Sequence, residues 1–226
     1  MHQASVGSED REFILSRLLT KLNTLWVAST YPFAGKGRKL SLHHTCEISR
    51  CFAPHIRLGN CVEIGRQTWL FTWPTPGVQG NDEVKIILED NCCIAERCTI
   101  TAGNSIHLER DVVLASDVLL MDHAHAYEDV TRPIGEQGTT PGGRIRIEQG
   151  CRIGQGAAIL CSNKGEVVLG RNCWVAPRAV VTRSFPPGSV LAGNPARAVR
   201  KSGTMPARAE QETISDAEIE PAKQGG

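Results

Sequence analysis

From Ile56 onward the chain keeps a six-residue beat. Ile56-Arg57-Leu58-Gly59-Asn60-Cys61 and Val62-Glu63-Ile64-Gly65-Arg66-Gln67 are two consecutive units. Further units start at Ile86, Cys92 and Cys98, then at Ile106, Val112 and Val118, then at Ile145, Cys151 and Ala157, and last at Val167, Cys173 and Ala179. Each carries an aliphatic residue third, a small or β-branched residue first and a turn-forming pair at its end. Strand side chains alternate with period two, so the first and third positions share a face and the residue between them points outward. A helix would need apolar spacings of three and four, which these units lack. Short strands that turn every six residues predict a parallel β-helix, and hence a mainly β fold.

This frame gives the cysteines a structural place. Of the nine in the sequence, Cys92, Cys98, Cys151 and Cys173 fall at the inward first position, where a thiol is a compact apolar filler. A disulfide framework would suit a short secreted chain. Met1 to Asp10 is polar and lacks the apolar core of a signal peptide, and no apolar run is long enough to span a bilayer. Reduced thiols in a cytoplasmic protein are therefore expected. No C-x2-C pair supports a structural zinc site. A net charge of +1 gives no footprint for nucleic acid.

The beat divides the 226 residues into an N-terminal helical segment (1–45), a β-helix domain (46–201) and a flexible tail (202–226) that lacks aromatics. In the first, Ser8 to Ser29 carries Ile14, Leu15, Leu18, Leu19, Leu22, Leu25 and Trp26 at helical spacing. Ser8 is placed to cap that helix, with Glu9 and Asp10 at the favourable end of its dipole. The stripe is expected to pack on the body or on a sister subunit rather than on lipid, because the polar face mixes charges of both signs. Two loops, 72–83 and 127–143, interrupt the beat, and long loops on rigid scaffolds concentrate function.

The second loop follows Leu119-Leu120-Met121-Asp122-His123-Ala124-His125-Ala126. Continuing the frame from Leu108, Leu114 and Leu120 puts Ala126 at a third position and His125 at an outward second one. His107 is also a second-position residue, so His107 and His125 are expected to stack on one outer face. His123 then ends a unit, at a corner beside Asp122. An imidazole titrates near neutral pH and is the favoured general base, with Asp122, Glu128 or Asp129 able to hold its tautomer. Two other readings stay open: a zinc site of His107, His123 and His125, and a scaffold with no chemistry. Arg183, Arg197, Arg200 and Lys201 gather near the end of the repeat, and guanidinium groups suit phosphate. Trp69 and Trp73, at the base of the first loop, fit either packing or stacking on a sugar ring.

From about Ile56 to Lys201 the sequence resembles the left-handed β-helix acyltransferases, specifically the sugar and polysaccharide O-acetyltransferases that use acetyl-CoA. The ending Val180-Val181-Thr182-Arg183-Ser184-Phe185-Pro186-Pro187 with Gly193-Asn194-Pro195-Ala196-Arg197 is similar to the family's VVTKDVPP and GNPAK. The segment DHAHAYED with its later RPI is similar to a DHNH-x-Y-x-D…PI stretch of that family.

The resemblance implies a left-handed coil of three units per turn and a homotrimer with its active sites between subunits. It also implies acetyl transfer from acetyl-CoA to a sugar or polysaccharide-precursor hydroxyl, with no acyl-enzyme and no metal. Counting the family's interval from Ala115 lands on His125 as the base, with His123 in reserve, and Thr182, Arg183, Arg197 and Arg200 are implied to bind CoA. The sequence departs from the pattern at Ala95, where simple galactoside and maltose acetyltransferases carry an acceptor-binding asparagine. It departs again at Cys161 to Glu166, in place of a short Pro-Gly corner, and at Arg183, in place of lysine. γ-Class carbonic anhydrases share the hexads, which is where the zinc alternative comes from.

Overall fold

The computed structural model describes residues 6–73, 83–162 and 165–201, and within them the side chains of 14–199. The expected tail and the middle of the first loop lie outside the described residues. Strands from successive units stack into three sheets that make the faces of a triangular prism. The first sheet contains Ile56–Leu58, Ile86–Leu88, Ser105–Leu108, Arg144–Ile147 and Glu166–Leu169, all parallel. The second contains Glu63–Ile64, Cys93–Ile94, Val113–Leu114, Arg152–Ile153 and Trp174–Val175. The third contains Trp69–Thr72, Thr99–Ala102, Leu119–Met121, Ala158–Leu160 and Val180–Val181. This is the parallel β-helix that the hexads predict.

The core follows the predicted frame. Third-position residues such as Leu58, Leu88, Leu114 and Ile159 are buried, and first-position Cys92, Cys98, Cys151 and Cys173 are buried and unbridged beside them. Full burial of a leucine or isoleucine side chain contributes about 1.5–3 kcal/mol, so the stacked aliphatic columns carry the fold. The coil starts earlier than the expected boundary at 46. Gly35–Lys36, Ser41–Leu42 and Glu47–Ile48 already pair into the first, second and third sheets.

Two of the prism's three corners are tight. Cys61, Asn91, Asp111 and Asn172 turn the chain from the first sheet to the second with positive φ, and Gln67, Arg97, Asp117 and Arg178 do so from the second to the third. Side chains stitch these corners from coil to coil: Asn91 donates to Asp111 at 3.0 Å, and Arg97 binds Asp117 through two bonds of 2.7 and 3.0 Å. At the third corner the chain leaves the coil over residues 49–55 and 122–143.

The N-terminal helix, Val6–Thr30, corrects one expectation and narrows another. It is already helical ahead of Ser8, so Ser8 is not its cap. Its apolar stripe does not lie on the body, since Ile14, Leu15, Leu18, Leu22, Leu25 and Trp26 are exposed. The side facing the coil carries Ser16, Thr20, Asn23, Thr24 and Val27. The reason is the first coil's open edge. Leu42 donates its backbone N–H to Thr24 Oγ1 at 2.9 Å, and Asn23 Nδ2 donates to the Leu42 carbonyl at 3.2 Å. An unpaired strand edge demands polar partners, and the polar face supplies them.

At the other end Ser189–Ala192 adds in parallel to Trp174–Val175, and Arg197–Lys201 returns antiparallel along it. Among the described residues no helix is long and apolar enough to cross a membrane.

Candidate active site

The irregular corner gathers the groups that can do chemistry. The strand Leu119–Met121 ends and Asp122 turns in, fully buried. Its Oδ1 accepts the Gly103 N–H at 2.6 Å, and its Oδ2 accepts those of Asn104 and Ser105, each at 2.8 Å. Three backbone donors give the carboxylate the hydrogen bonds that a buried charge requires. Gly103 closes the last hexad of that coil, and Asn104 and Ser105 are the two residues by which the coil exceeds its three hexads.

His123 follows, 6% exposed, with Nδ1 at 2.9 Å from Asp122 Oδ1. An ionised carboxylate only accepts, so Nδ1 carries the proton and Nε2 presents a lone pair. No side-chain nitrogen or oxygen is sealed without a partner among the described residues, and Nε2 forms no hydrogen bond there, so it reaches solvent. Trp73 packs edge-on against the imidazole, with ring centroids 6.0 Å apart. Beneath them the buried Lys85 ammonium donates to the Trp73 carbonyl. Burial holds the Lys85 pKa below the usual lysine range, and the nearby Asp122 charge opposes that shift.

The frame does not continue to Ala126. After Asp122 the chain leaves as an ear, with Ala126 N–H on the Gly138 carbonyl and Thr140 N–H on the Ala124 carbonyl. The ear closes at Gly142, where positive φ is needed and a Cβ would stand 2.5 Å from the Asp122 carbonyl oxygen. Gly143 then returns to the coil, donating to Asp122 and Cys161. His125 therefore sits exposed on the ear, bridged to Thr139 through its backbone. It does not stack on His107. The register neighbours of His107 are Ile87 and Arg146, and its Nε2 lies 2.8 Å from Glu89. Glu128 and Asp129 are exposed too, and Asp129 is occupied by Thr131, whose two bonds hold its carboxyl below the usual range. Among the described residues no three or more His, Cys, Asp or Glu side chains are placed to share a metal ion.

No family model matches the chain. It is 26% identical over 122 residues to an Escherichia coli protein named for lipopolysaccharide biosynthesis O-acetyl transfer, covering 51% of this chain and 60% of that one. It is 34% identical over 105 residues to the serine acetyltransferase of Salmonella typhimurium, covering 45% and 36%. The chain thus spans between about a third and three fifths of the length of these relatives. In three dimensions it matches AntD, an N-acyltransferase of Bacillus cereus solved with dTDP and coenzyme A, at a TM-score of 0.61 and 17% identity over 80% of this chain and 87% of that one. A hexapeptide-repeat acetyltransferase of Vibrio cholerae matches at 0.50 and 21%, over 88% and 94%. The chain has the left-handed hexapeptide-repeat fold.

Within the hexapeptide-repeat fold, the residues expected to meet CoA lie at the last coil. Thr182, Arg183 and Arg197 are exposed, and the Arg183 guanidinium lies 5.2 Å from the centre of the Phe185 ring. Ala196 N–H bonds the Val180 carbonyl at 2.7 Å, and Arg197 then opens the antiparallel strand at the end of the second sheet. The Arg200 side chain lies outside the described residues. Ala95 occupies a regular corner between the second and third sheets, where its carbonyl accepts the Thr68 hydroxyl. Cys161 and Ser162 bond the ear, through Gly143 and Thr140. The hexads do not signal Lys85, or the anchoring of Asp122 by Gly103 to Ser105. The clues were a lysine beside an apolar run and two surplus residues in one coil.

Proposed function

We propose that the protein is an acetyl-CoA-dependent O-acetyltransferase acting on a sugar hydroxyl, with His123 as general base and Asp122 as its orienting partner. The observation that carries this reading is the buried Asp122–His123 pair, with Asp122 tied to three backbone N–H groups and Nε2 open. The acceptor hydroxyl gives its proton to Nε2 as its oxygen attacks the thioester carbonyl carbon. Collapse of the tetrahedral intermediate breaks the carbon–sulfur bond, and the imidazolium returns the proton to the CoA thiolate. Asp122 stays ionised, fixes the tautomer and stabilises the imidazolium. Thr182, Arg183, Arg197 and Arg200 are assigned to CoA on their chemistry, since guanidinium groups pair with phosphate.

The names of the E. coli relative and of the B. cereus neighbour support a sugar acceptor and a CoA thioester donor. The serine acetyltransferase relative supports the acetyl group. The same reading expects a cytoplasmic homotrimer with sites between subunits, and the exposed helix stripe supports a partner surface. Sedimentation of a fully active monomer would overturn the trimer.

The deciding experiment replaces His123 with alanine and follows thiol release from acetyl-CoA with sugar acceptors. The rate should fall about 10²–10⁴-fold, the usual share of general acid–base catalysis, with the fold intact. An unchanged rate ends the reading. A larger loss from His125→Ala transfers the role to His125.

A further inference from the structure

We infer that Trp69, Phe71 and Trp73 form an acceptor subsite that stacks uncharged sugar rings in a line ending at His123, so that the acceptor is a saccharide of more than one ring. The inference rests on the proposed function for the meaning of that line, but its geometry stands apart from it. The three aromatics are alternate residues along one extended segment, so they share the outward face of the third sheet. Their rings touch in series: Trp69 to Phe71 at 4.9 Å, Phe71 to Trp73 at 5.1 Å and Trp73 to His123 at 6.0 Å. Phe52 backs the middle ring edge-on at 4.4 Å. Both tryptophans keep 39% of their surface exposed, whereas Phe185 is buried in the core. At about 3.3 Å per residue, the shelf runs roughly 13 Å from Trp69 to Trp73. That is longer than a single pyranose ring.

The charge around the shelf selects the ligand. The register neighbours are half-buried Thr99 and buried Thr101 on the next strand and exposed Glu47 on the one before. Lys85, at the Trp73 end, is buried and bound to the Trp73 carbonyl. A phosphate-bearing acceptor would draw on guanidinium or exposed ammonium groups, and neither the aromatic series nor its register neighbours supply one. Indole faces with the Thr99 hydroxyl beside them suit the apolar faces and polar rims of neutral sugars. The aliphatic remainder of the same face, Leu119, Leu160 and Val180, is plain packing surface. The aromatic part is the portion that reaches the imidazole.

The test separates binding from turnover. An array of neutral mono- and oligosaccharides, with UDP-glucose as the anionic control, is screened against the full chain, and the best ligand is titrated by tryptophan fluorescence. An oligosaccharide should bind more tightly than its own monosaccharide. Trp69→Ala should weaken it about tenfold, the size of one aromatic stacking contact. Trp69→Phe should keep most of the affinity, with circular dichroism confirming the fold of both variants. His123→Ala should bind as the parent does.

In turnover, Trp69→Ala should raise the acceptor KM and leave kcat nearly unchanged, since the ring lies away from the reacting atoms. The inference falls if no neutral oligosaccharide binds or if only UDP-glucose does. It also falls if Trp69→Ala binds as tightly as the parent, or if acrylamide fails to quench the native indoles because a second copy covers them. Saccharide binding that survives alongside a fully active His123→Ala would sink the catalytic reading and leave the shelf standing.

Discussion

Two corners of the prism and the third obey different rules, although the same hexads enter all of them. At the first two, single left-handed residues turn the chain and side chains such as Arg97 and Asp117 bind from coil to coil. At the third, the chain departs and returns, and Asp122, His123, Trp73 and Lys85 collect there. The repeat builds a rigid post from short-range rules, and freedom of sequence is confined to one edge of it. Stability and chemistry are therefore separable by position, which mutation can check.

The largest effect should come from Asp122→Asn at the irregular corner. A carboxamide accepts through one atom and turns a donor on groups that already donate, so the imidazole loses its fixed tautomer. Acetyl transfer should fall by about 10²-fold or more, and one or more mismatched N–H groups should cost about 1–3 kcal/mol each in denaturant unfolding. A transfer rate equal to the parent's would show that the pair only supports the turn.

Gly59→Ala tests the regular corners, because its Cβ would lie 2.6 Å from the Asp90 backbone nitrogen of the next coil. Overpacking there should cost about 1–3 kcal/mol, read as a lower denaturation midpoint, with activity per folded molecule preserved. Loss of activity without loss of stability would abolish the separation.

The cysteine columns give a smaller, pH-dependent effect. Burial pushes the Cys92 thiol up from 9.0 to about 12 and Cys98 to about 11. A thiol whose folded value is raised favours the native state while it stays protonated. That contribution is intact below pH 9 and is lost as pH climbs from there toward 12. Stability should therefore decline across that range, and at pH 8 a thiol reagent should label exposed Cys51 quickly and Cys92 slowly. Equal labelling rates would contradict the inward assignment. The smallest effect is expected from His125→Ala, with activity within about threefold of the parent, the residue being an exposed loop side chain.

The hexads made the fold legible because alternation and turn spacing are local properties. Leu58, Cys92 and Ile159 could be assigned inward without any long-range information. Leu42 already carried the beat ahead of the assumed boundary, but so short a run is too little to stand out. The site was less legible because it depends on where the beat fails. Extending the frame past Leu120 assumed the coil was unbroken, and the chain leaves at Asp122 instead. That carried His125 off the coil and away from His107, and made His123 the residue held by a carboxylate. The helix misled for a related reason. Hydrophobic spacing shows which face is apolar, and the open edge at Leu42 required the opposite face.

The closed ends of the coil have a consequence of their own. A stack of identical-width coils is a template for its own extension, and two such molecules could join end to end without limit. Here Thr24 and Asn23 occupy the first coil's lower edge. At the top, Phe185 bonds along Val168, the Gly193–Ala196 turn bonds Val180, and Arg197–Lys201 runs backward along the second sheet. The molecule thereby has a fixed length, and a truncation that strips either closure should turn a discrete protein into a fibre former.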